Sequence, residues 1–216
     1  MKTLKVRVKD RHAETLNKMA RAVNFTWNFC ADLGLQKLNR EGVFMSGYDF
    51  QKYTTGATKE GLCLSSQTVQ MIGHEYATRR KQFKKAKLKW RSSKKSLGWI
   101  PLNGQSILWK NGQVYYKGEY FKVWDSYGLS QYKFRSGSFN QDSRGRWYFN
   151  VCVDAKPELS NGQGVIGIDL GLKTTAVCSD GTELHASRFY RESQQQLAVA
   201  QRANKKQRRK AIHAKI

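Results

Sequence analysis

Residues 167–177 read Gly-Ile-Asp-Leu-Gly-Leu-Lys-Thr-Thr-Ala-Val, and the place of Asp169 in that stretch governs how the rest of the chain is read. Val165, Ile166 and Ile168 are apolar, and the run predicts a short buried strand leading into Asp169-Leu170-Gly171. A carboxylate inside such a strand is costly without a partner. A divalent cation is one partner, because Mg²⁺ takes oxygen ligands from one or two carboxylates together with substrate phosphates. Gly167 and Gly171 leave room for a phosphate backbone to come close. A hydrogen-bonded turn, or an ion pair with Lys173, would also satisfy Asp169, and spacing alone leaves these alternatives open.

Downstream, Thr174–Ser179 predicts a second strand, Asp180-Gly181 a tight turn, and Thr182–His185 the start of a third strand. From about Arg188 the composition is helical and basic, and the helix is expected to be still running at Ile216. Arg202, Lys205, Lys206, Arg208, Arg209, Lys210 and Lys215 crowd this end. Three strands and one helix bury little apolar surface, so residues 188–216 are expected to be poorly anchored.

Upstream, Pro157 and the polar stretch 158–164 read as a linker. Before it, residues 146–154 (RWYFNVCVD) alternate, with Trp147, Phe149, Val151 and Val153 on one face. Residues 101–150 are rich in aromatics and glycine. Short runs at Ser106–Lys110, Gln113–Lys117, Tyr120–Trp124 and Gln131–Arg135 are separated by Asn103-Gly104, Asn111-Gly112, Gly118 and Gly128. Asn-Gly pairs between apolar runs are hairpin signals, so an antiparallel barrel or sandwich is expected. At the other end of the chain, Leu4, Val6 and Val8 alternate with Lys5 and Arg7, the pattern of a half-buried strand. Leu16, Met19, Ala20, Val23, Trp27, Cys30 and Ala31 then recur at helical spacing within 12–39. Glycines break the next stretch, and Ser65 or Ser66 is placed to cap a second long helix bearing Val69, Ile72, Tyr76 and Phe83. The class is α+β.

That second helix changes character at its end. Residues 79–95, RRKQFKKAKLKWRSSKK, hold ten Lys or Arg among seventeen residues and no acid. A solvated helix face is the usual meaning of a charge run. This one lacks internal acids at i,i+4 spacing and interleaves Phe83, Leu88 and Trp90, which favours a helix end and exit loop that contact phosphates. The residues expected to bind nucleic acid are Arg79, Arg80, Lys81, Lys84, Lys85, Lys87, Lys89 and Arg91, with Lys205, Lys206, Arg208 and Arg209 near the C-terminal end. The whole chain carries 39 Lys plus Arg against 16 Asp plus Glu, a formal charge of +23 on 216 residues. A folded protein this basic repels itself, and a polyanion relieves that repulsion. The cysteines, Cys30, Cys63, Cys152 and Cys178, are far apart, which speaks against a disulfide framework and a zinc site. No apolar run is long enough to span a membrane, and MKTLKVRVKD has no signal-peptide core. A reduced, cytoplasmic setting is expected.

Several of these stretches carry a resemblance. KTLKVRVKD at the start, VNFTWNF at 23–29, RWYFNVCVD and above all GIDLGLKTTAVCSDG at 167–181 are similar to TnpB-type proteins. These are RNA-guided nucleases of bacterial insertion sequences, often described as transposases and similar to type V CRISPR effectors. The resemblance covers essentially all of residues 1–216, as the N-terminal half of such a protein. It implies a wedge-type oligonucleotide-binding β-barrel at 1–10 and 100–160, a helical recognition insertion at 11–99, and the start of an RNase H-like (RuvC) domain at 161–216. It implies guide RNA and target DNA as partners. It also implies Mg²⁺ as cofactor, with Asp169 as first catalytic carboxylate and metal ligand.

RuvC chemistry clamps the reacting phosphate between two metals and needs several carboxylates. The family's later Glu and Asp do not occur in the 47 residues after Asp169 (216 − 169), where the acids are Asp180, Glu183 and Glu192. Asp180 belongs to a turn, Glu192 is expected in solvent, and Glu183 would have to face the site from the third strand. The reading is therefore a truncated nuclease that binds nucleic acid and does not cleave alone. Its rivals are an enzyme completed by another chain, an actin-like ATPase or sugar kinase with a similar IDLG-T-T motif, and a plain basic binding module.

Overall fold

The computed structural model describes residues 1–155 and 164–216, which form two compact units that divide between residues 155 and 164. The linker expected at 157–164 lies outside the described residues, apart from Gly164.

In the first unit, β1 (Lys2–Arg7) is followed by a single 3-10 turn and α1 (Ala13–Glu41). Then come α2 (Gly47–Thr54) and α3 (Ser66–Gln82). Each boundary has a local cause. Gly42 ends α1 in a left-handed conformation. Ser46 and Asp49 form a reciprocal capping box on α2, and Ser65 caps α3 by accepting from the Thr68 N–H. Strands β2 (Trp99–Asn103), β3 (Ile107–Lys110), β4 (Gln113–Tyr116), β5 (Glu119–Phe121), β6 (Phe134–Gln141) and β7 (Trp147–Val153) complete the unit.

These strands make two antiparallel sheets, ordered β1-β7-β6-β2 and β3-β4-β5. The hairpins fall where the sequence places them. Asn111 and Gly112 both take positive φ in the β3–β4 turn, and Lys117 and Gly118 do so in the next. Among the described residues neither sheet closes into a barrel. Backbone contacts join the first sheet to the segment after β5: Val8 bridges Val123, while Lys9 N–H donates to Lys122 O and Trp124 N–H to Arg7 O. Gln131–Arg135 is not a separate strand. A 3-10 turn occupies Leu129–Gln131, and β6 begins at Phe134.

Helices and sheets share one core. Leu4, Val6, Leu16, Val23, Cys30, Ile72, Tyr76, Ile100, Phe121, Phe139, Phe149 and Val151 are all essentially inaccessible. Three hydrogen bonds tie α3 to both sheets. Tyr116 Oη donates to Thr68 Oγ1 at 2.8 Å and accepts from Ser65 N–H at 3.1 Å, and Thr68 Oγ1 donates to Pro101 O at 2.9 Å. Burial pushes the Cys30 thiol up to about 12, so it is an inert core group.

His12 sits at the end of β5. Its Nε2 accepts from Lys122 N–H at 3.0 Å, and its ring stands edge-on to Phe121. Burial, and then the charge of Arg11, hold its pKa below the usual 6.5. The unfolded chain therefore takes up a proton near pH 6.5 before the folded one does. The stability that neutral His12 contributes is present above that pH and lost as pH falls through the folded value. Urea unfolding at pH 7.5 and pH 5 checks this: the wild type is expected to lose more stability on acidification than His12→Gln.

The second unit differs from its expected form. Strand β8 is only Ile168–Asp169, and it pairs with β9 (Thr174–Cys178), which pairs with β10 (Glu183–His185). Val165, Ile166 and Ile168 are exposed, so the buried strand expected there is not formed among the described residues. The turn at Asp180-Gly181 is present, with Gly181 at φ +84°. The single terminal helix is two, α4 (Phe189–Arg202) and α5 (Lys206–His213). Asn204, at φ 50°, reverses the chain between them, and Leu197, Ala200 and Ile212 form a small buried cluster. The reversal gives the terminal stretch an anchor that a continuous helix would lack.

Candidate nucleic-acid interface

The basic run 79–95 leaves α3 and crosses α1. Helix α3 ends at Gln82, so Arg79, Arg80 and Lys81 lie on its last turn, where the helix dipole favours cations. Lys84 follows in the left-handed region at φ 50°, and Lys85 N–H returns to Arg80 O at 3.2 Å. This is the position where a helix end ordinarily places glycine. Lys84→Gly is expected to leave thermal stability unchanged or raised by up to about 1 kcal/mol, because the left-handed backbone no longer crowds a Cβ. Its nucleic-acid affinity should fall. A melting curve and a binding titration on the same sample check both.

Beyond Lys84 the segment is held by a polar stripe on α1. Trp27 Nε1 donates to Lys89 O at 3.3 Å. Asn28 Nδ2 donates to Arg91 O at 2.9 Å, and its Oδ1 accepts from Arg91 N–H at 2.8 Å. Asn24 Oδ1 accepts from Arg91 Nε at 2.9 Å, and Asp32 Oδ1 accepts from Lys87 Nζ at 2.6 Å and Trp90 Nε1 at 3.2 Å. Residues 24, 28 and 32 are one helical turn apart, so one face of α1 fixes the path of 87–91. Sequence reasoning singled out the 23–29 stretch only for its resemblance. The physical signal was a polar residue at every fourth position beside Trp27, each needing a partner.

The eight residues expected to bind in this run divide into two groups. Arg79 pairs with Glu75 at 2.6 Å, one turn back and outside the run itself. Arg80 is buried at 7% exposure, with Nη2 donating to Met45 O at 3.0 Å and Nε enclosed without a partner among the described residues. Such an orphaned donor costs about 1–3 kcal/mol. Arg91 lies between Trp27 and Trp99, 5.8 and 5.6 Å from their ring centres, and burial lowers its pKa. Lys87 is committed to Asp32. These four make contacts within the protein. Lys81, Lys84, Lys85 and Lys89 are exposed and form no ion pair among the described residues. Phe83 and Trp90, exposed at 57% and 60%, stand among them. Of these, Phe83, Lys85, Lys89 and Trp90 line a groove of about 770 Å³ that also contains Trp27, Trp99 and Glu75.

In the second unit, Lys205, Lys206 and Arg208 are exposed and Arg209 is half-buried. Lys205 caps α5 and Lys206 opens it, at the helix end where a cation is disfavoured.

Asp169 is exposed, and Lys173 is not its ion-pair partner. Strand register puts Asp169 and Glu183 on either side of Val177 in one cross-strand row. The two carboxylates are thus two strands apart, at roughly 10 Å between Cα atoms. No group of three or more His, Cys, Asp or Glu side chains comes together among the described residues. Asp169 alone does not meet what Mg²⁺ requires, and these residues do not compose a metal centre. No described helix is long and apolar enough to cross a membrane.

No protein-family model matches the chain, and no curated protein matches its sequence. Among solved structures, a cryo-EM structure of a CRISPR-Cas12f ternary complex is similar with a TM-score of 0.44 and 12% identity, over 93% of this chain and 53% of that one. A cryo-EM structure of a Cas12f1-sgRNA-target DNA complex is similar with a TM-score of 0.40 and 12% identity, over 99% of this chain and 64% of that one. The chain therefore spans between about half and two thirds of the length of these two proteins.

Proposed function

We propose that this chain binds nucleic acid, with the segment 81–90 as its main contact. The observation that carries the reading is the pairing of four exposed lysines, without an ion pair among the described residues, with two exposed aromatics on a segment fixed at 83–85 by the end of α3 and at 87–91 by α1. Lysines attract phosphates and release their counterions, and aromatic faces accept unstacked bases. A backbone that is already ordered pays no entropy of folding when the strand arrives.

On the sequence resemblance, the bound strands are guide RNA and target DNA, as in a TnpB-type RNA-guided nuclease. The regions 1–10 with 100–160, 11–99 and 161–216 then take the roles of wedge, recognition and nuclease segments. Asp169 would be one carboxylate of a nuclease centre whose other ligands lie outside the described residues. Binding, not cleavage, is the activity this chain's own residues support. A second reading, a nuclease completed by another chain, is favoured by β8, which lies at the edge of its sheet with Leu170 and Leu172 exposed beside it.

Fluorescence anisotropy with a labelled single-stranded RNA tests the proposal. Affinity is expected to fall steeply between about 50 and 200 mM salt, as counterion release requires. Asp169→Ala should leave that affinity unchanged. Absence of binding at low salt, or binding indifferent to salt, would overturn the proposal. Guided-DNA cleavage by the 216-residue chain with Mg²⁺, lost in Asp169→Ala, would overturn the claim that this chain does not cleave alone.

A further inference from the structure

A second groove, of about 700 Å³, lies on the opposite flank of α3, between its last turns and the start of α2. Its floor and walls include Phe44, Tyr48, His74 and Arg80, and its rim includes Lys81 and Lys84. No carboxylate lines it. The size is that of a small-ligand pocket.

The side chains are held in place before any ligand arrives. Gly47 packs so closely on His74 that a Cβ there would stand 2.2 Å from Nδ1. His74 Nε2 is hydrogen-bonded to Gln51 Nε2 at 3.1 Å. The fixed imidazole meets the Tyr48 ring edge-on, with centres 4.6 Å apart, while Tyr48 remains 72% exposed. Tyr48 therefore presents an oriented aromatic face to the groove. Arg80 lies over the Phe44 ring at 4.2 Å. One of its terminal nitrogens is tied to Met45 O, its Nε is enclosed without a partner, and Nη1 makes no hydrogen bond among the described residues. Nη1 is not among the enclosed atoms, so an acceptor that enters the groove can reach it in place of water.

We propose that this groove receives one unpaired nucleotide of a bound strand. Its base stacks on Tyr48 and offers a ring-edge acceptor to Arg80 Nη1, while its phosphate lies on Lys81 and Lys84 at the rim. The division follows the burial. The enclosed cation meets the part of the nucleotide that leaves water, and the exposed cations meet the part that stays in it. A base stacked inside a duplex offers no free face to Tyr48, so the groove distinguishes unpaired from paired nucleotides.

The inference rests on the nucleic-acid reading above, and the test separates the two. The full chain and its Tyr48→Ala and Arg80→Lys variants are titrated by anisotropy with 12-nucleotide single-stranded RNA, the same sequence as single-stranded DNA, and a duplex of equal length. Tyr48→Ala is expected to weaken single-strand binding roughly ten- to a hundredfold, the scale of one lost base stack, with duplex binding and the salt slope unchanged. Arg80→Lys keeps the charge but loses the fork, and it should weaken single-strand binding in the same selective way. A loss on RNA and DNA alike identifies the base as the recognised part, and a loss on RNA alone identifies the ligand as an RNA nucleotide. If the wild type binds but Tyr48→Ala binds single strands equally well, the groove proposal is wrong and the wider reading stands. If the wild type binds no strand, both fall.

Discussion

Replacing Lys84, Lys85 and Lys89 together with alanine is expected to lower affinity for single-stranded nucleic acid about a hundredfold at about 0.1 M salt. Each lysine that neutralises a phosphate on a single strand contributes roughly 0.7 to the slope of log affinity against log salt, so three contribute about 2. Extrapolated to about 1 M, where the counterion term vanishes, wild type and variant should converge. Folding should be unaffected. The three side chains are exposed and unpaired among the described residues, and the contact that fixes position 89 uses its backbone carbonyl, which alanine keeps. A Lys→Arg version of the triple variant should bind like the wild type. Equal losses at all salt concentrations would point to misfolding, which a melting curve would reveal.

Trp27→Ala is expected to produce the largest loss of stability, about 3–5 kcal/mol, as for other large aromatic deletions in a core. Trp27 is 8% exposed and meets Tyr76 and Trp99 edge-on, at 5.2 and 6.4 Å between ring centres. Its loss leaves a cavity where α1, α3 and the exit segment converge. It also frees Lys89 O and removes one of the two rings that flank Arg91. Hydrogen exchange at 87–91 should therefore accelerate by more than the global loss of stability explains. Urea unfolding measures the first effect, and exchange of the 87–91 peptide the second. Trp27→Phe keeps most of the packing and should recover most of the stability, but not the hydrogen bond to Lys89.

What was legible in the sequence follows from which forces act locally. The alternation of Leu4, Val6 and Val8, the helical spacing from Leu16 to Ala31 and the Asn111-Gly112 turn all correspond to observed elements, because each pattern is complete within a few residues. Gln131–Arg135 looks like one strand in sequence because a 3-10 turn and the start of a strand share that composition. The terminal helix looks continuous in sequence because no glycine or proline marks Asn204, and asparagine tolerates the left-handed backbone that breaks it. The address of the basic run was visible, but its division was not. Which cations are free depends on Asp32, Asn24, Asn28 and Met45, up to 67 residues away in sequence. The apolar neighbours of Asp169 predict a buried carboxylate. In the structure those neighbours are exposed on a two-residue edge strand.

The central claim is that the exposed segment 81–90, held on α1, is where the strand lies. Photo-cross-linking of 5-bromouridine RNA to the full chain, followed by mapping of the linked peptides, tests it most directly. The account expects the principal adducts at Phe83 and Trp90, lost when Lys84, Lys85 and Lys89 are replaced together. Adducts confined to 189–216, with the peptide spanning 83–90 unmodified, would contradict it.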